Sequence, residues 1–146
     1  MKKLPLDTSS FRRLREENYV YVDKTRQIHR MITEGTAYFL SRPRRFGKSL
    51  TISTLMELFK GNKTLFKGLW IENHWEFKEH PVLIFDFNAI DNKNPDVFEH
   101  ALTYHLNQIA ASNGININSE AGLVAGFADL CIALYQVSGS KPVINL

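Results

Sequence analysis

The sequence predicts an α/β domain whose sheet holds about three parallel strands joined by helical crossovers. Two observations predict it. Apolar runs recur at 37–40, 81–87 and 142–146, with helical patterns between them. The middle run, "PVLIFDF", is uninterrupted from Val82 to Phe85 after a proline, the pattern of a strand covered on both faces. Strands alternating with helices favour a parallel sheet. With 146 residues, 44% of them hydrophobic, one globular domain with a real core is expected.

In chain order, "YVDKTRQIHRMITEG" (21–35) has helical spacing, with Asp23 as N-cap, Ile28, Met31 and Ile32 as the apolar stripe and Gly35 as the stop. "AYFL" (37–40) is short, apolar and aromatic, and is expected as a buried strand. "KSLTISTLMELFK" (48–60) follows as a helix with Leu50, Thr54, Met56, Leu58 and Phe59, ended by Gly61. Residues 62–77 suggest short helical turns and loops. In "NPDVFEHALTYHLNQIAASNG" (94–114), Asn94 caps and Pro95 takes the first helical position. Phe98, Leu102, Leu106 and Ile109 line one face, and Gly114 ends the helix. Residues 118–137 give another helix with Ser119 as cap, and "PVINL" (142–146) a third strand.

Charge and cysteine content narrow the class. The net charge of +3 is concentrated at Arg42, Arg44, Arg45 and Lys48, so a local anion site explains it as well as a broad nucleic-acid surface does. Cys131 is the single cysteine, which excludes an intrachain disulfide and leaves it as a small hydrophobe in "DLCIALY". The N-terminus has no apolar signal segment and no run is long enough to span a bilayer, so a cytoplasmic, non-membrane protein is expected. His29, His74, His80, His100 and His105 have no metal-ligand spacing and are expected to be structural, and Trp70 and Trp75 to pack.

"SRPRRFGKSL" (41–50) carries the chemistry. It ends in Gly47-Lys48-Ser49, as a phosphate-binding loop of the G-x-x-x-x-G-K-[ST] (Walker A) type does, but Arg42 stands where the first glycine belongs. A strand before the loop and a helix after it are the context that gives such a match meaning. Helix-start N–H groups lack intrahelical partners and the helix dipole adds partial positive charge there. Gly47 lets the backbone approach a phosphate, Lys48 can reach the β- and γ-phosphate oxygens, and the Ser49 hydroxyl can ligate Mg²⁺. Arg42, Arg44 and Arg45 fit a phosphate site or a solvated loop equally. Phe46 fits packing beneath the loop or stacking on a base.

With those residues in view, the chain resembles the N-terminal part of the bacterial predicted AAA-ATPase-like family of P-loop ATPases. "FRRLREENYVYVDKT" (11–25), "YFLSRPRRFGKSLTISTL" (38–55) and "PVLIFDF" carry the resemblance. The Arg-Pro-Arg-Arg-Phe-Gly-Lys-Ser loop is the family's own form. The resemblance implies an incomplete P-loop NTPase-like three-layer α/β/α fold, with ATP and Mg as cofactors. It assigns nucleotide binding to Arg42, Pro43, Arg44, Arg45, Phe46, Gly47, Lys48 and Ser49, with Ser49 on the metal. It also places Tyr21, Asp23, Lys24 and Thr25 on the adenine side, although helix capping accounts for Asp23 and Thr25 equally well.

Catalytic residues stay unassigned. Such ATPases need an acidic pair after a later apolar strand. "VLIFD" ends on Asp86, but the resemblance sets that strand one step too early. "KPVINL" (141–146) is similar to the start of the acidic strand. Residues 1–146 are therefore expected to be the N-terminal part of a single P-loop ATPase domain, truncated before the acidic Walker B residues. The strands flanking the phosphate-loop strand lie beyond it in related ATPases, so the sheet is expected to be gapped or rearranged. Nucleotide binding without efficient turnover is the expectation. The alternative is a non-enzymatic module that binds nucleic-acid phosphate or pairs with a second protein chain.

Overall fold

The computed structural model describes residues 2–5, 8–41, 43, 46–87, 94–118 and 122–145, and the chain divides into two compact units, Met1–Glu79 and His80–Leu146. The whole is a mixture of helices with a small parallel sheet, compatible with the α/β class.

The first unit is helical. Helix α1, Phe11–Glu16, was not foreseen in the sequence, being only six residues long. Ser10 starts it by accepting a hydrogen bond from the Arg13 N–H, and the Arg12–Glu16 and Arg13–Glu17 pairs run along its surface. Helix α2 spans Thr25–Glu34, one residue later than an Asp23 N-cap implies, with Lys24 in the cap position. Helix α3 spans Lys48–Phe59. Its stop at Gly61 is set twice over: φ is +72°, and a Cβ there would come within 2.8 Å of the Phe77 carbonyl oxygen. Two 3₁₀ turns follow, Lys63–Phe66 and Trp70–Asn73.

Phe11, Ile28, Leu55, Leu58, Phe66, Ile71 and Phe77 form the core of this unit. Glu57 is buried among them at 2% exposure and holds α1 to α3. Arg12 donates to both its carboxylate oxygens, Nε to Oε1 at 3.1 Å and Nη2 to Oε2 at 2.8 Å, and Asn62 Nδ2 donates at 2.6 Å. A buried carboxylate tolerates its desolvation only when bonded in this way.

The second unit contains the sheet. Strand β1, Val82–Ile84, leads through α4, Pro95–Ser112, and α5, Leu123–Ser138, to β2, Val143–Asn145. The two strands are parallel, with Val82, Leu83 and Ile84 opposite Val143, Ile144 and Asn145. Asn94 caps α4 through its side chain, accepting from the Val97 N–H at 2.8 Å, and Pro95 opens the helix. The expected Ser119 cap of α5 lies outside the described residues. Leu83, Phe85, Leu106, Ala110, Leu130 and Leu134 make this unit's core. Cys131 packs against it half-buried, and burial pushes its thiol up.

One expectation fails. Residues 37–40 form no strand, so the sheet among the described residues has two strands and not three. Tyr38 is 53% and Phe39 94% exposed. An apolar run fixes a tendency, but a strand exists only where a neighbour takes up its N–H and C=O groups. The strands at 82–84 and 143–145 find each other; 37–40 finds no strand partner among the described residues.

Candidate nucleotide site

A cavity of about 1170 Å³ lies within the first unit. The start of α3 contributes Gly47, Lys48, Ser49, Leu50 and Thr51 to its wall. Gly47 is left-handed, with φ +78° and ψ +21°, a conformation that glycine adopts without penalty. A Cβ placed there would meet nothing within 4 Å, so open space faces the loop backbone. No side chain caps this helix start, and the Thr51 N–H is the first to bond back, to the Gly47 carbonyl at 2.9 Å. Lys48 and Ser49 are exposed, and their side chains have no hydrogen-bond partner among the described residues. The arrangement presents an ammonium, a hydroxyl and the N–H groups of a helix start to one open space, the donor set that suits a phosphate.

The segment preceding α2 reaches the same cavity. Tyr21 and Lys24 line it, 24 to 28 residues before the Lys48 and Ser49 with which they share it, and Gln27, Ile28 and Met31 continue that wall along α2. Tyr21 sits edge-on to Phe11 at 5.2 Å. Burial pushes its phenol up, partly offset by a hydrogen bond with Thr54.

Asp23 and Thr25 do not line the cavity. Asp23 Oδ1 accepts from the Thr25 N–H at 2.8 Å and the Thr25 hydroxyl at 2.7 Å, and Oδ2 accepts from the Trp70 N–H at 2.7 Å. Buried Thr25 in turn accepts from the Ile71 N–H at 3.2 Å. The pair fastens the entry of α2 to the Trp70–Asn73 turn. Burial alone would raise the Asp23 carboxyl, but those hydrogen bonds, with Arg15 nearby, outweigh it and hold the group below the ordinary carboxylate range. Both side chains are thus committed at the entry of α2, with Lys24 in the cap position.

Arg42, Arg44 and Arg45 lie outside the described residues. Pro43 accepts from the Phe46 N–H in a turn at 3.4 Å. Phe46 is 67% exposed and lines the cavity. Asp86 is exposed and follows β1 in the second unit. None of the described residues lining the cavity is an aspartate or glutamate. Four of the five histidines have partners: His74 stacks on Trp70 at 3.8 Å, His29 meets Trp70 edge-on at 5.3 Å, and the rings of His80 and His105 bond the Lys141 and Ile84 carbonyls. Among the described residues no three His, Cys, Asp or Glu side chains could hold a metal, and no helix is long and apolar enough to cross a membrane.

Sequence reasoning missed Gln27, Ile28 and Met31 as cavity residues. Their signal was available in the i, i+3, i+4, i+7 spacing from Lys24, which puts all four on one helical face. It also missed Thr8 and Ser9, which line the cavity from the segment before α1 and have no local pattern that would place them there.

Over residues 5–145 the chain matches the family described as "AAA-ATPase_like: Predicted AAA-ATPase". It belongs to that family. Among curated proteins, this AAA-ATPase-like chain is 52% identical over 90 residues to an uncharacterized protein in the vnfD 5′ region of Azotobacter chroococcum mcd 1. The matched stretch is 60% of this chain and 17% of that protein. No solved structure matches the chain.

Proposed function

We propose that this AAA-ATPase-like chain binds a purine nucleoside triphosphate with Mg²⁺, its phosphates on Gly47–Thr51 and its base toward Tyr21 and the cavity face of α2. One observation carries the reading: a single cavity gathers the open start of α3 and the segment 21–24. The donor set fits phosphate. For the metal, the cavity offers the Ser49 hydroxyl, and the remaining ligands would be phosphate oxygens and water. Bound Mg²⁺ would neutralise charge on the phosphates. Lys48 provides a compact ammonium for the same oxygens, and Gly47 keeps the approach clear of a Cβ.

With no carboxylate among the described residues of the cavity, those residues hold and orient phosphates but do not position a water, so binding without efficient turnover is the activity proposed for residues 1–146. The test is displacement of a fluorescent ATP analogue. Lys48→Ala should weaken Mg-ATP binding roughly 10- to 150-fold, the value of one or two charge-assisted hydrogen bonds, with an unchanged circular dichroism spectrum. Unchanged affinity in the folded variant would remove the assignment.

A second reading rests on a different observation, the exposed Tyr38 and Phe39 in an apolar segment without a strand partner among the described residues. That segment would pair with a strand of a second chain. Binding of oligonucleotide in place of nucleotide would instead show a steep salt dependence and indifference to Mg-ATP.

A further inference from the structure

Within the nucleotide reading, on which this inference rests, the remaining question is what recognises the base. Gln27 lines the cavity one helical turn after Lys24 and one before Met31. Its side chain is exposed and hydrogen-bonds to nothing among the described residues, whereas Thr8, Thr51 and Thr54 on the same cavity are each committed to a backbone group. Of the uncommitted groups, Lys24, Lys48 and Ser9 offer a point charge or a rotatable hydroxyl. Gln27 alone presents a donor and an acceptor side by side in one plane. Its neighbours Ile28 and Met31 supply apolar and polarizable surface on which a flat ring can lie.

We infer that the Gln27 carboxamide reads the edge of an adenine base and makes this a site for adenine over guanine nucleotides. Its oxygen accepts from the N6 amino group while its NH₂ donates to N7, the bidentate match between a carboxamide and adenine. Guanine offers O6 and N7 on the same edge, two acceptors, so the carboxamide can satisfy only one. The helix holds Gln27 on the face shared with Lys24 and Met31, which limits the rearrangement that could rescue the wrong base.

The test measures displacement of a fluorescent ATP analogue by ATP, GTP and purine riboside triphosphate, which lacks the N6 amino group. The wild-type chain should prefer ATP about tenfold over both competitors. Gln27→Leu, similar in length and a good helix former, should bring ATP down to the GTP level, while the other two, each with one bond to the carboxamide, should lose less than ATP does. Lys48→Ala should weaken all three alike. An ATP-to-GTP ratio that Gln27→Leu leaves intact, with Lys48→Ala still effective, would overturn the inference alone. A wild-type chain that binds none of the three would remove the nucleotide reading and this inference together.

Discussion

The two units of the chain solve the same problem with different means. The first has a core of aromatic and aliphatic side chains, but its helices are registered by polar fastenings: Asp23 to Trp70, Thr25 to Ile71, and Glu57 to Arg12 and Asn62. The second relies on a parallel strand pair and two long helices around Leu83, Leu106 and Leu130. The difference follows from backbone accounting. Strands bond to each other and need no side-chain help, whereas short helices and 3₁₀ turns leave N–H groups at their ends for carboxylates and hydroxyls to collect.

The largest effects should come from emptying each core in turn. Leu58 and Leu130 are both 0% exposed, one in each unit. Leu58→Ala and Leu130→Ala should each cost about 2–5 kcal/mol within their own unit. Both tryptophans lie in the first unit, so Trp70 and Trp75 fluorescence should report the loss for Leu58→Ala, and amide exchange at Leu106 and Ala110 the loss for Leu130→Ala. If Leu130→Ala lowers the tryptophan-monitored denaturant midpoint as much as Leu58→Ala does, the two cores unfold as one and the comparison breaks.

A smaller effect should separate backbone from contact at the loop. Gly47→Ala adds a methyl that meets nothing, but holds alanine at φ +78°, which costs about 1–2 kcal/mol. Chemical denaturation should read that modest loss, while nucleotide affinity falls further because the methyl stands in the phosphate approach. Affinity that falls only in step with stability would mean no ligand comes close to Gly47.

The smallest effect is the pH signature of the polar fastening. The folded Asp23 carboxyl sits below its unfolded value, so its contribution is present in full above about pH 4 and is lost as pH falls through the depressed folded value. Asp23→Asn should therefore flatten the acid side of the stability curve below about pH 4 and leave its neutral slope alone. An acid limb identical to wild type would show that Asp23 is not held by the Trp70 and Thr25 hydrogen bonds.

Where signals were local, the sequence determined the outcome. Asn94 and Pro95 start α4 because a side-chain cap and a preset φ act within three residues. Gly61 ends α3 partly for a local reason, its left-handed φ of +72°, although the Phe77 carbonyl against it comes from farther along the chain. Gly47-Lys48-Ser49 opens a helix as expected, and Val82 to Ile84 forms a strand. The family was likewise legible from the loop and its flanks.

Only the tertiary structure decided the rest, since it depends on partners distant in sequence. Phe39 is exposed rather than in a strand, because no strand among the described residues takes up the 37–40 backbone. Glu57 is buried on the strength of Arg12, 45 residues away. Asp23 points its carboxylate to Trp70 across 47 residues, while Tyr21 and Lys24 share a cavity with Lys48. Hydrogen-bond partners and cavity neighbours are set by packing in space, and a linear pattern of residue types carries no record of which distant groups will meet.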